Sequence, residues 1–144
     1  MENWPEYIKK HFATVPFFEY MNVTVMETSH GQAKLKIPMK PQYANTYEIV
    51  HGGILAALVD MAGGVALRTL KVRILTIETS TVFFAPVMLT EELVAEAQLV
   101  QQGRKILHAD INVYNSQNEM VAQGKAIYYV RGEDSEEYYL PQEK

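Results

Sequence analysis

The sequence predicts a single α+β domain in which a curled antiparallel sheet wraps one long helix, and three features predict it. Residues Ile54 to Leu70 form a 17-residue stretch that is apolar nearly all round and rich in good helix formers, so it is expected to be a helix buried in the core. Six other stretches carry the period-two alternation or the β-branched richness of strands. Short turn signals separate most of them, which suits antiparallel neighbours.

In chain order, Asn3 followed by Glu6 predicts a helix cap, with Trp4, Ile8 and Phe12 recurring at helical spacing. Strands are expected over Asn22 to Ser29 and Ala33 to Met39. In the second, Ala33, Leu35, Ile37 and Met39 alternate with Lys34, Lys36 and Pro38, and His30-Gly31 supplies the turn before it. A loop from Lys40 to Val50 leads into the long helix. After it, Ile74 to Phe84 is β-branched and aromatic and stops before Pro86. Glu92 to Gln101 places Leu93, Ala95, Ala97 and Leu99 on one face, and Gln102-Gly103 turns the chain. Arg104 to Tyr114 does the same with Leu107, Ala109, Ile111 and Val113. Asn115 to Asn118 then turns it into a last strand, Glu119 to Val130.

A chain of 144 residues has room for one proper core, expected over 1–131 and followed by an acidic, loosely ordered tail over 132–144. In that tail, Tyr138-Tyr139-Leu140 is a docking candidate. With no cysteine there is no disulfide, thiol nucleophile or thiolate metal site. His11, His30, His51 and His108 lack the paired spacing of zinc ligands, so no metal is expected. The net charge is −4, of which residues 131–144 contribute −3 through two bases and five acids. The nearly neutral body argues against nucleic acid. The long helix is too short and too interrupted by its acid to cross a membrane, and Met1 to Glu6 carries no basic and apolar leader. A cytoplasmic protein is expected.

That acid, Asp60, is the only one in the long helix. Burying an unpaired carboxylate is costly, so Asp60 is either paired structurally or poised for chemistry, and composition alone leaves both open.

A wider pattern surrounds it. Asn45, then His51-Gly52-Gly53 opening an apolar helix, then Asp60 eight residues after Gly52, resembles the hotdog-fold acyl-CoA thioesterases, in the phenylacetic-acid-degradation branch. The resemblance covers roughly residues 10–131, and Pro86 and Ala122-Gln123-Gly124 look like the family's strand ends. It implies the hotdog fold, hydrolysis of an acyl-CoA to a carboxylic acid and free coenzyme A, and no cofactor beyond the coenzyme A of the substrate. It also implies homodimers, often paired into homotetramers, with the site at the subunit interface. Many members carry a glycine shortly before the histidine, where this chain has Tyr47, Glu48, Ile49 and Val50.

Thioester hydrolysis needs a donor for the developing oxyanion, and the first N–H groups of a helix are unpaired donors at its positive end. Gly52 and Gly53 let substrate approach that backbone. Asp60 is then the general base for water or a carboxylate nucleophile, and the sequence does not separate these. Eight residues span about 12 Å along a helix, too far for Gly52 and Asp60 of one chain to reach one carbonyl, so two subunits are expected to share each site. The resemblance gives His51 and Asn45 positioning roles at the thioester or its water, and Thr76 a hydroxyl that orients the water. Tyr47, Met61, Phe83, Phe84 and Met88 are candidates to line an apolar acyl pocket. Arg104, Lys105 and Lys125 are candidates for the coenzyme A phosphates.

Two other readings are weighed. Hotdog hydratases resemble a different pattern, with a histidine before a Pro-Gly turn and a glutamate in the helix, and this chain has neither. A non-catalytic acyl-CoA-binding hotdog protein is the other alternative.

Overall fold

The computed structural model describes residues 3–135. Two short helices lead in, α1 (Trp4–Phe12) and α2 (Pro16–Tyr20). Asn3 caps α1 as expected, its side chain accepting from the Glu6 N–H at 2.9 Å. The sequence reading missed α2, whose signal is Pro16 at its first turn. Asn22, at φ 55°, then redirects the chain, so β1 starts two residues later than expected, at Thr24.

Strands β1 (Thr24–Ser29) and β2 (Gln32–Pro38) precede the long helix α3 (Gly52–Arg68). After it come β3 (Val72–Phe83), β4 (Glu92–Gln102), β5 (Ile106–Tyr114) and β6 (Met120–Glu133). All pair antiparallel in one sheet of order β1-β2-β4-β5-β6-β3, which leaves β3 on an edge. The predicted inward sets on β2, β4 and β5 are buried, Leu99 only partly, and close over α3. This is the curled sheet and central helix of the hotdog fold.

Several boundaries shift by a few residues. The helix starts at Gly52 rather than Ile54, because His51 caps it and draws both glycines into the first turn. Arg104 and Lys105 lie in the turn before β5 rather than on the strand. Strand β6 continues past residue 131, and Asp134 beyond it is buried, although the acidic tail was expected to begin at 132. The segment Tyr138-Tyr139-Leu140 lies outside the described residues.

The sheet does not enclose α3 completely. Ala56, Asp60 and Gly64, spaced one helical turn apart, are only partly buried, and a Cβ added at Gly64 would meet open space. On the face turned to the sheet Val59 presses against Gly124 of β6, where a side chain would collide with it. Strand β3 carries one irregularity that positions the site. Its register against β6 runs through Thr76↔Tyr128 and resumes at Glu78↔Ile127, so Ile77 is an extra residue bulged out of the ladder.

Candidate active site

Asp60 projects from the partly buried stripe of α3 and is paired. The Thr76 hydroxyl donates to its Oδ1 at 2.8 Å, and the Tyr128 hydroxyl lies 3.1 Å from the same oxygen and 2.9 Å from the Asp60 main-chain carbonyl. Asp60 Oδ2 has no hydrogen-bond partner among the described residues. Thr76 thus holds the carboxylate directly. Burial, then the Asp60 charge and its hydrogen bond, push the Tyr128 phenol well above the ordinary tyrosine range, so it stays a donor.

Tyr128 was not singled out from the sequence, although two signals point to it. It continues the inward-facing series Ala122, Gly124, Ala126 of β6, and a tyrosine buried at such a position needs a partner for its hydroxyl. Gly63 supplies the other signal, since a Cβ there would lie 2.5 Å from the Tyr128 hydroxyl oxygen. A glycine inside the helix therefore makes room for a strand side chain.

At the start of α3, the His51 Nδ1 accepts from the Gly53 N–H at 2.8 Å. An accepting Nδ1 places the proton of the neutral ring on Nε2, which leaves a donor on the exposed side of an exposed residue. Gly53 is thereby satisfied within the helix cap, whereas the Gly52 N–H has no hydrogen-bond partner among the described residues. Phe83 leans over Gly52, its ring 3.3 Å from where a Cβ would sit. Thr76 and Phe83 both face α3 although they are seven residues apart, an odd number that regular alternation would send to opposite faces, and the Ile77 bulge reconciles them.

Asn45 organises the approach loop. Its Oδ1 accepts from the N–H groups of Tyr47 at 2.9 Å and Ile49 at 3.3 Å, and Ala44 bridges to Val50 across the loop base. Glu48 holds a φ of 60°, a conformation suited to glycine, at the stretch where relatives are expected to carry one. Beside this loop lies a cavity of about 390 Å³ lined by Val50, Gly52, Leu55, Phe83, Phe84 and Pro86, among others. A larger trough of about 750 Å³ holds none of the expected site residues. It is mostly polar and lies over the outward side chains Lys34, Glu96, Asp110 and Asn112.

Of the expected binding residues, Met61, Lys125 and Met88 do not line the cavity beside Gly52. Met61 is buried in the core at 6% exposure, because one residue beyond Asp60 is a 100° turn around the helix, toward the sheet. Lys125 alternates with the inward Gly124 and Ala126 and so occupies the outer face. Met88 is exposed, beyond the residues that line the cavity beside Gly52. Tyr47 is 81% exposed on the approach loop, and Phe83 and Phe84 are half-exposed beside Gly52. Arg104 and Lys105 sit at the other end of the sheet, where the Val130 N–H donates to the Lys105 carbonyl.

A family model described as the thioesterase superfamily matches residues 47–122. An Archaeoglobus fulgidus protein named "Putative esterase" is 32% identical over 117 residues, covering 81% of this chain and 76% of that one. Mouse acyl-coenzyme A thioesterase 13 is 28% identical over 129 residues, covering 86% and 91%. Among solved structures, the Escherichia coli PaaI protein of the phenylacetic acid degradation operon superimposes with a TM-score of 0.86 at 21% identity, covering 92% of this chain and 97% of that one. The family model over residues 47–122 and the 32% identity to the Archaeoglobus protein make the chain a member of the thioesterase superfamily, a thioester hydrolase, and its structure is the hotdog fold.

Proposed function

We propose that the chain is an acyl-CoA thioesterase that works as a dimer, with each site built from two subunits. The observation that carries this reading is the clasped Asp60, partly buried on the open stripe of α3 with one carboxylate oxygen unengaged. The name of the mouse relative supports acyl-CoA as the substrate class.

The open stripe and the edge strand support the dimer. Ala56, Asp60 and Gly64 offer a shallow helix surface for a second helix. Edge strand β3 leaves Leu75, Ile77, Val82 and Phe83 more than half exposed, an invitation to pair with a second β3. A two-fold axis through these elements brings Gly52 of the partner subunit toward Asp60. Antiparallel β3 pairing also brings Arg104 and Lys105 of one chain toward the Gly52 end of the other, where the coenzyme A phosphates would bind them.

In this site the acyl group packs against Phe83, Phe84 and Tyr47. The thioester carbonyl oxygen takes the Gly52 N–H, which stabilises the oxyanion as it forms. His51 and Asn45 fix the loop and the helix start that aim this donor. Asp60 either takes a proton from the attacking water or attacks the carbonyl itself to give an anhydride that water then opens. By either route water is consumed, and a carboxylic acid and the free thiol of coenzyme A leave.

The test is thiol release from a panel of aliphatic and aryl acyl-CoAs, comparing wild type with Asp60→Asn. Turnover by wild type and a loss of roughly 10²–10⁴-fold in a folded variant are expected. Wild-type rates in Asp60→Asn would overturn the catalytic assignment, and absence of turnover across the panel would favour a binding protein. Sedimentation equilibrium checks the dimer.

A further inference from the structure

We propose that Tyr128 is a positioning residue for Asp60: together with Thr76 it fastens Oδ1, so that Oδ2 alone is presented to the reaction. The inference rests on the reading of Asp60 as the reacting carboxylate, and it assigns the acting oxygen and names the residue that selects it.

An aspartate on a helix surface turns freely about two side-chain bonds, and its two oxygens are chemically equivalent until something distinguishes them. Here two hydroxyls from two different strands meet one oxygen, at 2.8 Å and 3.1 Å. Thr76 and Tyr128 are direct partners in the β3–β6 register, so they reach Asp60 as a matched pair from a rigid ladder rather than from a loop. The single Tyr128 proton is shared between Oδ1 and the Asp60 carbonyl, 2.9 Å away, which ties the side chain's orientation to that of its own backbone. The other oxygen, Oδ2, has no hydrogen-bond partner among the described residues.

The helix is shaped for this contact. Any side chain at position 63 would drive its Cβ to 2.5 Å from the phenol oxygen, so Gly63 and Tyr128 function as one unit. Tyr128 is 1% exposed, and its ring is fixed by the core that surrounds it. Its hydroxyl is therefore a placed donor, not one that wanders between solvent and site. A reacting group misplaced by about 1 Å can lose about 10²-fold in rate, which sets the scale of what the clasp protects.

The experiment is steady-state kinetics on the full-length protein with its best acyl-CoA, for four variants that retain folding by circular dichroism. Tyr128→Phe, which deletes only the hydroxyl, is expected to lower kcat by about tenfold or more with KM within about twofold. Gly63→Ala combined with Tyr128→Phe returns a methyl to the vacated space without the donor, and it should show the same loss. Should Tyr128→Phe alone fold poorly, this double variant carries the test. Adding Tyr128→Phe to Asp60→Asn should leave the residual rate unchanged, since a residue acting only through Asp60 has nothing left to position. A folded Tyr128→Phe or double variant with wild-type kcat, beside an inactive Asp60→Asn, would overturn the positioning role alone. An active Asp60→Asn would overturn the catalytic reading beneath it.

Discussion

The two ends of helix α3 are built on opposite principles. At its C-terminal end the exposed carbonyls and the last side chains are tied down. The Trp4 indole N–H donates to the Arg68 carbonyl at 2.8 Å, the Thr69 hydroxyl donates to the Ala66 carbonyl while accepting from the Gly31 N–H at 2.8 Å, and the Asp134 N–H donates to the Lys71 carbonyl. The Arg68 guanidinium adds two bonds to the buried Asp134 carboxylate, at 2.8 and 2.9 Å, and lies over the Phe12 ring. At its N-terminal end there is one side-chain cap, from an exposed histidine, and the Gly52 N–H is left over. A helix must settle its orphan groups somewhere. This one settles them at the end remote from the proposed chemistry and keeps one unpaired where an oxyanion would form.

Substitutions at the two ends should separate stability from turnover. The largest effect is expected at the closed end, where Arg68→Met removes the guanidinium that gives the buried Asp134 carboxylate two hydrogen bonds and costs about 3 kcal/mol. Urea unfolding should register that loss while kcat of the folded protein stays within about twofold, and a large fall in kcat would show that the closed end is no mere anchor. At the open end, His51→Ala should cost only about 1 kcal/mol, as loss of a helix cap does, yet lower kcat by about tenfold. Equal and small effects on both quantities would reduce His51 to a cap. The smallest effect belongs to the approach loop. Glu48→Gly relieves about 1–2 kcal/mol of left-handed strain but adds about 0.4–1 kcal/mol of unfolded-chain entropy, so a net gain of about 0.8 kcal/mol is expected in the unfolding free energy. A net loss would mean that the Glu48 side chain contributes something the backbone does not reveal.

How much of this was legible in the sequence depended on how local the signal was. The long helix and Asp60 stood out because an acid in an apolar stretch is anomalous by composition. The inward faces of β2, β4 and β5 were legible because alternation is a local rule, and the hairpin at His30-Gly31 because Gly31 takes a φ of 74° there. The Arg68–Asp134 pair joins residues 66 apart and has no local signature. Tyr128 required knowing which residue of β6 faces Asp60, and therefore the register. Met61 was a pocket candidate by residue type, and which face of α3 it takes, here the buried one, follows from packing that no local pattern states.

Ile77 makes the site depend on counting. The ladder runs regularly from Ile74 to Thr76 before it and from Glu78 to Phe83 after it, and a β3 shortened by that one residue would still pair with β6 and still cover the core. Yet the parity of everything beyond it would flip, sending either Thr76 away from Asp60 or Phe83 away from Gly52. Loss of two residues from the same strand preserves the parity that loss of one destroys. Two thioesterases of this fold with equally good sheets can therefore differ in whether their sites are assembled, on the strength of a single odd or even number.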